Sequence, residues 1–363
     1  MRLPFDSVAI LGAGLMGRLM AVTLAQAGCK VDVFEAGGPE AEGAAARVAA
    51  AMLAPLAESA VAPVSVVRMG QHALSRWPEL LASLAQPVFF QREGTLVLWH
   101  RQDSTEAARL ARVLARTGEQ VPELPPMRAI DGAAIAALEP SLGTRFAQGL
   151  FLPGEGQLDN RALLASLLAT LQADARVTLH WQSPRAIPDF APGTAGQPDR
   201  VIDCRGLGAR PQWNSLRGVR GEVIRVHAPE VTLQRPTRLV HPRYPLYIAP
   251  KPGNLFVIGA TEIESDDMSP ASVRSTLELL SAAYAVHSGF AEARIVEIAT
   301  QCRPTLPDNL PSIRQPQPRV MQVNGLYRHG FMIAPAMLDA AMELLAHGHS
   351  ALAESFGLEA AHT

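Results

Sequence analysis

Apolar residues in this chain fall into two repeating arrangements. A short unbroken run at 8–11 and mostly apolar runs at 31–34 and 200–204 predict buried strands, as in a parallel sheet. Apolar positions three and four apart predict helices at 15–27, 64–84, 104–117, 161–172, 271–287 and 334–346. Pro78 is expected to break the second of these. Pro335 falls in the first turn of the last, where proline is tolerated. Asp131 is expected to cap a short helix ending near 139–140, and Asp159 the helix at 161–172. Shorter strand signals lie at 88–90, 95–99, 149–157, 177–181, 222–226, 239–241, 246–249, 255–258, 293–301 and 319–323. Stretches 36–43 and 183–198 carry Pro and Gly, 121–126 is proline-rich, and all three read as loops.

Strands and helices alternate near both ends, and strands dominate between them. That order predicts an α/β fold whose chain crosses between two domains more than once. The expected division places 1–85, 146–215 and 300–363 in a nucleotide-binding domain. Residues 86–145 and 216–299 would form a second domain, a mixed or antiparallel sheet over the reactive end of the ligand.

The first strand signal runs directly into Gly12, Gly14 and Gly17, at G-x-G-x-x-G spacing, and then into a helix and a second strand closed by Glu35. Gly12 suits the tight turn, Gly14 the close approach of a pyrophosphate, and Gly17 the packing of helix on strand. The helix N-terminus offers unpaired N–H groups and a positive dipole end to phosphates. Glu35 stands where a carboxylate accepts from ribose hydroxyls, and it would repel a 2′-phosphate. The strand–turn–helix–strand context makes the motif specific for a dinucleotide. A small-residue run at 44–51 suits packing against a flat ligand, but an alanine-rich helix is the expectation for most of it.

Composition narrows the picture by exclusion. The 363 residues are 48% hydrophobic and 18% charged with a net charge of −2, which describes a globular chain. No Lys/Arg run suggests a nucleic-acid groove or a basic membrane-binding face. No window approaches the roughly 18 apolar residues of a membrane span. Arg2 ahead of an apolar run imitates a signal peptide, which the glycine pattern contradicts. Cys29, Cys204 and Cys302 are too far apart for a metal or disulfide framework, and the ten histidines show no metal spacing. No metal is expected, and a reducing cytoplasm is.

From Gly325-Leu-Tyr-Arg-His-Gly-Phe-Met-Ile-Ala-Pro the chain resembles the FAD-dependent amine oxidases of the D-amino-acid oxidase superfamily, and among them the glycine oxidases of thiamin biosynthesis. The resemblance also rests on the opening glycines with Glu35, on Ala-Ala-Ala-Met-Leu-Ala-Pro ending at Pro55, and on Leu152-Pro-Gly-Glu-Gly-Gln-Leu-Asp. It continues through Asp203-Cys-Arg-Gly, Arg220-Gly-Glu-Val, Tyr247-Ile-Ala-Pro, Ile258-Gly-Ala-Thr and Arg303-Pro, so it spans nearly the whole chain.

The resemblance implies a Rossmann-type FAD-binding domain joined to a mixed-sheet substrate domain. It implies cofactor contacts from Gly12, Ala13, Gly14, Leu15, Met16 and Gly17, then Glu35 and Ala36, then Ala51, Met52 and Leu53. Further contacts would come from Val177, from Cys204, Arg205 and Gly206, and from His329, Gly330, Phe331, Met332 and Ile333 ahead of the last helix. The substrate carboxylate would lie among Arg303, Tyr247 and Arg328, with Met52 and Glu58 lining the cavity. An arginine fork and a phenol fit a carboxylate. The plainer readings are an Arg303–Asp308 ion pair, a core ring for Tyr247, core filling for Met52 and surface charge for Glu58. Glu262 departs from a family pattern that has an apolar residue there.

The implied reaction is oxidative deamination of glycine or another small amino acid or amine, with hydride passing from the α-carbon to FAD and dioxygen giving hydrogen peroxide. The implied product, iminoacetate or glyoxylate, would supply thiazole synthesis, with thiazole synthase a candidate partner and a homo-oligomer a candidate assembly. Two other readings stand: a D-amino-acid or sarcosine-type dehydrogenase serving a quinone or carrier, and a flavin-binding protein without catalysis. Related sarcosine oxidases link flavin to a cysteine near the position of Cys302. A small buried side chain is the expectation for it here.

Overall fold

The computed structural model describes residues 3–190, 197–241, 246–358 and 361–362. Part of the loop expected at 183–198 therefore lies outside the described residues.

The opening motif sits at the centre of a seven-stranded sheet. Ser7–Leu11 is flanked in parallel by Lys30–Phe34 on one side and Arg200–Asp203 on the other. Val177–His180 extends the sheet beyond Lys30–Phe34, and Val320–Asn324 beyond Arg200–Asp203. The apolar runs are buried on both faces, by helices on one side and by Ile187 and Phe190 on the other. The chain order reverses at Ser7–Leu11, so a crevice opens beyond the carboxyl ends of these strands, the usual ligand position of such sheets. Gly12 N–H donates to Phe34 O at 2.8 Å and Cys204 N–H to Leu11 O at 2.8 Å, so three strand ends meet at the glycine turn. The helix Leu15–Gln26 starts there. Its buried Arg18 donates to Ala13 O, Leu164 O and Pro39 O, binding the turn to the loop after Glu35.

An eight-stranded sheet forms the second layer, in the order Arg294–Thr305, Arg217–His227, Leu255–Gly259, Leu246–Lys251, Thr237–Leu239, Thr95–Leu98, Gln148–Leu152 and Arg128–Asp131. A three-stranded sheet of Met52–Leu53, Gly156–Leu158 and Phe90–Gln91 links the two. Buried Lys251 bolts that link. Its ammonium donates to Ala50 O, Leu158 O and the Gln157 side chain, which match its three donors.

Several expectations need correction. Pro78 does not break its helix, which runs Val64–Ala82. The carbonyl that Pro78 leaves without a partner, Leu74 O, accepts from Arg92 at 3.5 Å. The last helix begins at Gly330 rather than 334, so Pro335 lies within it. The orphaned carbonyl there, Phe331 O, accepts from Trp77 Nε1 at 3.0 Å. Each interior proline is thus tolerated through a side-chain donor that replaces the missing N–H.

The strand expected at 222–226 begins at Arg217, because its polar residues are buried in pairs: Arg220 with Glu222, and Arg225 with Asn160. The strand expected at 239–241 is Thr237–Leu239. The alanine run forms only a four-residue helix, Ala45–Val48, and is otherwise irregular, because its small side chains wall the crevice. Asp131 and Asp159 cap as expected, accepting from Ala134 N and from Arg161 N and Ala162 N.

Candidate active site

The crevice continues as one cavity of about 680 Å³, within the range of small-molecule and cofactor sites. At one end lie Gly12, Gly14, Leu15, Met16, Glu35 and Ala36, and at the other Tyr247, Arg303, Arg328 and Glu262. Gly43 to Ala46 and Val48 to Met52 line one side, and Cys204 to Gly206 with His329 to Met332 the other. Ala13, Gly17, Leu53 and Ile333 are not in the wall. Gly17 acts from behind, since a β-carbon there would fall on the Gly12 carbonyl oxygen. At Gly12, with φ +92°, a β-carbon would stand 2.8 Å from Arg205 Cα. At Gly14 a β-carbon would meet only Ala44, at 3.7 Å, across the cavity. The first helix has no side-chain cap, so its N-terminal N–H groups remain available at the turn.

Glu35 is aimed by the backbone, accepting from Ala13 N at 2.6 Å and Gly37 N at 2.9 Å. A carboxylate keeps further lone pairs beyond these two for ribose hydroxyls. Val177 is not brought to the cavity. It pairs with Val31, at the other end of its strand from Glu35. The backbone beside Glu35 is that of Gln182 and Ser183, whose N–H groups donate to Gly37 O and Glu35 O.

The far end is built on one face of the eight-stranded sheet. Arg238, Tyr247 and Gly259 stand in register across three neighbouring strands, with Val223 opposite Gly259 on the fourth. Arg303 reaches in from Arg294–Thr305, beyond them. The glycines make the room: a β-carbon on Gly221 would overlap the Arg303 guanidinium, and one on Gly259 the Tyr247 phenol. Arg303 donates to Arg220 O at 3.3 Å and Thr261 O at 3.1 Å. Asp308 accepts from Leu310 N, and the Arg303–Asp308 pair of the plainer reading is not formed. Burial pushes the Arg303 guanidinium down from its ordinary range.

Glu58 is buried, at 8% exposure, and is no surface charge. It accepts from Arg238 at 2.5 Å, lies 3.1 Å from Arg328 Nε and 3.3 Å from His329 Nδ1. Burial would raise its carboxyl, but Arg328, Arg238 and His329 together hold it well below the usual range. Arg328 also pairs with Glu262, which accepts from the Tyr327 hydroxyl at 2.5 Å. Burial and that bond push the Tyr327 phenol up to about 12. Ala41, Ala51 and Tyr327 line the cavity with left-handed φ of 56°, 53° and 52°, placing backbone strain at the site.

Of the four arginines in the wall, Arg205, Arg238 and Arg328 each pair with an acid, whereas Arg303 has no acid partner among the described residues. Cys302 projects away from Arg303 along its strand, its thiol toward Ser265 O and Asp267 O, as a small buried side chain. The sequence reading gave no site role to Arg238, Tyr327, Gly221 or Gly259. The one available signal was a glycine inside each of two strands, which marks a close approach.

The cavity's ends fit a dinucleotide carrying a redox ring: a glycine turn with a bare helix N-terminus, an oriented carboxylate, and a flat wall of small residues. Comparison with known proteins agrees. Residues 7–343 match the family described as FAD dependent oxidoreductase. The chain is 42% identical over 330 residues to a Rhizobium etli protein provisionally named thiamine biosynthesis oxidoreductase ThiO, covering 90% of this chain and 92% of that one. The glycine oxidase of Geobacillus kaustophilus is 28% identical over 352 residues, covering 90% and 89%. Its crystal structure superposes with a TM-score of 0.77 at 24% identity, over 94% of each chain. The bifunctional protein ThiO/ThiG of Nostoc sp. is 26% identical over 354 residues, and this chain covers 51% of its length.

Proposed function

The chain belongs to the FAD dependent oxidoreductase family, and on that premise we propose that it oxidises glycine or another small amino acid whose carboxylate rests on Arg303 and Tyr247. The carrying observation is Arg303: a desolvated guanidinium in the cavity wall that forms no ion pair with an acid among the described residues. Such a group is stabilised by a bidentate anion and a phenol donor. FAD supplies the two-electron acceptor chemistry when bound. The glycine turn and first helix would hold its pyrophosphate, Glu35 its ribose, and residues 329–332 its ring end. Arg303 and Tyr247 then orient the α-carbon, and the small-residue wall keeps water out. Glu58 and Glu262 stay ionised beside their arginines, so neither is a proton donor to the amine. Arg328 is shared between these two acids, so its role is to position them rather than to take the carboxylate.

The ThiO and glycine oxidase relatives support this substrate class, and the ThiO/ThiG relative supports thiazole synthesis as the consumer of the imine or its hydrolysis product. Dioxygen is the proposed acceptor, and the proposed division into nucleotide and substrate domains departs from the two large sheets in two places, since Gln148–Leu152 and the end of Arg294–Thr305 belong to the eight-stranded sheet. Anaerobic mixing of the FAD-loaded protein with glycine, sarcosine and D-alanine tests the reading. Flavin bleaching by at least one, with peroxide released on admitting air, is expected. Bleaching by none would contradict it, and bleaching without peroxide would reject dioxygen as the acceptor.

A further inference from the structure

Glu58 stands among two guanidiniums and an imidazole of the cavity wall, and its distribution between the two arginines is unequal. Arg328 has a second acid, Glu262, whereas Glu58 is the only acid paired with Arg238 among the described residues. Arg238 lies next to Tyr247 in register on the cavity face, and its Nε is buried without a hydrogen-bond partner. Arg238 is therefore a ready second carboxylate site, kept out of use by one anion. Glu155, the next acid toward Arg238, is pushed by burial to about 7, so below that pH it does not substitute for Glu58.

We propose that Glu58 determines specificity: by neutralising Arg238 it leaves Arg303 as the single guanidinium open to a carboxylate, and so confines the site to substrates bearing one carboxylate. The inference rests on the amino-acid reading above and adds a substrate boundary to it. A second carboxylate brought near Glu58 meets a fixed negative charge whose repulsion, in a partly desolvated site, exceeds what a shared arginine returns. Glycine, sarcosine and D-alanine satisfy the rule; amino acids with an acidic side chain or a carboxylated nitrogen do not.

The test uses FAD-loaded protein below pH 7 and non-reacting probes, read by the perturbation of flavin absorbance. Acetate and propionate represent one carboxylate, malonate and succinate two. In the wild type the dicarboxylates are expected to bind about tenfold or more weakly than the monocarboxylates. Glu58→Gln should shift that ratio by about tenfold or more toward the dicarboxylates. Glu58→Asp should keep the wild-type ratio, and the double variant Glu58→Gln with Arg238→Gln should restore it. If Glu58→Gln fails to fold, Arg238→Gln alone serves: with Glu58 then less compensated, the preference against dicarboxylates should sharpen. An unchanged ratio in whichever variant folds, with monocarboxylates still binding, overturns the role of Glu58 and leaves the amino-acid reading intact. Absence of binding by either class to the wild type overturns the amino-acid reading itself.

Discussion

Tyr247 and Gly259 face each other on adjacent strands, and a β-carbon on Gly259 would come 2.7 Å from the Tyr247 hydroxyl oxygen. The phenol occupies the space of an absent side chain. Gly259→Ala should therefore swing the ring off the sheet and cost about 1–3 kcal/mol of substrate affinity, roughly fivefold to 150-fold. Flavin content should stay unchanged, since Gly259 is not in the cavity wall. Substrate titration of the loaded variant checks this; unaltered affinity would show that the ring position is immaterial.

Gly17→Ala attacks the other end of the cavity. Its β-carbon would collide with the Gly12 carbonyl, which is backbone and cannot swing aside. The turn must distort, and the protein should be purified largely colourless. The ratio of flavin to protein absorbance reads this directly. A fully yellow variant would mean that the turn does not carry the pyrophosphate.

Trp77 donates to the carbonyl freed by Pro335, so Trp77→Phe keeps the aromatic packing and removes the donor. A buried carbonyl left without a partner costs about 1–3 kcal/mol. Denaturant midpoints should fall accordingly. Because Phe331 lines the cavity, flavin affinity should weaken as well.

Glu155 gives a pH signature. Burial raises its carboxyl from 4.5 to about 7, and one oxygen lacks a hydrogen-bond partner. Between those values the folded chain binds more protons than the unfolded one, so stability falls as pH rises through about 7. The full loss is on the order of 3 kcal/mol. Glu155→Gln should remove this contribution: its stability between pH 5 and pH 8 should decline less than that of the wild type. Parallel curves would refute the assignment.

The sequence displayed the nucleotide end well, because its signals are local: three glycines, a strand on each side and a terminal acid. It displayed the substrate end only through resemblance. Arg238, Tyr247, Gly259 and Gly221 are far apart in sequence and meet only through sheet register. Glu58 reads as exposed in a helical pattern, because its partners Arg238, Arg328 and His329 come from 180 and more residues away. Propensity also misplaced the prolines: Arg92 and Trp77 are tertiary donors that no window around Pro78 or Pro335 contains. Val177 lies at the wrong end of a correctly foreseen strand, a distinction that alternation alone does not make.

The central claim is that Arg303 receives the substrate carboxylate, and Arg303→Met tests it most directly. The substitution preserves the aliphatic bulk and removes the charge. With FAD still bound, anaerobic reduction by the best amino-acid substrate should lose about 2–5 kcal/mol of apparent affinity, from roughly thirtyfold to several thousandfold. Reduction at wild-type substrate concentrations in that variant would contradict the account.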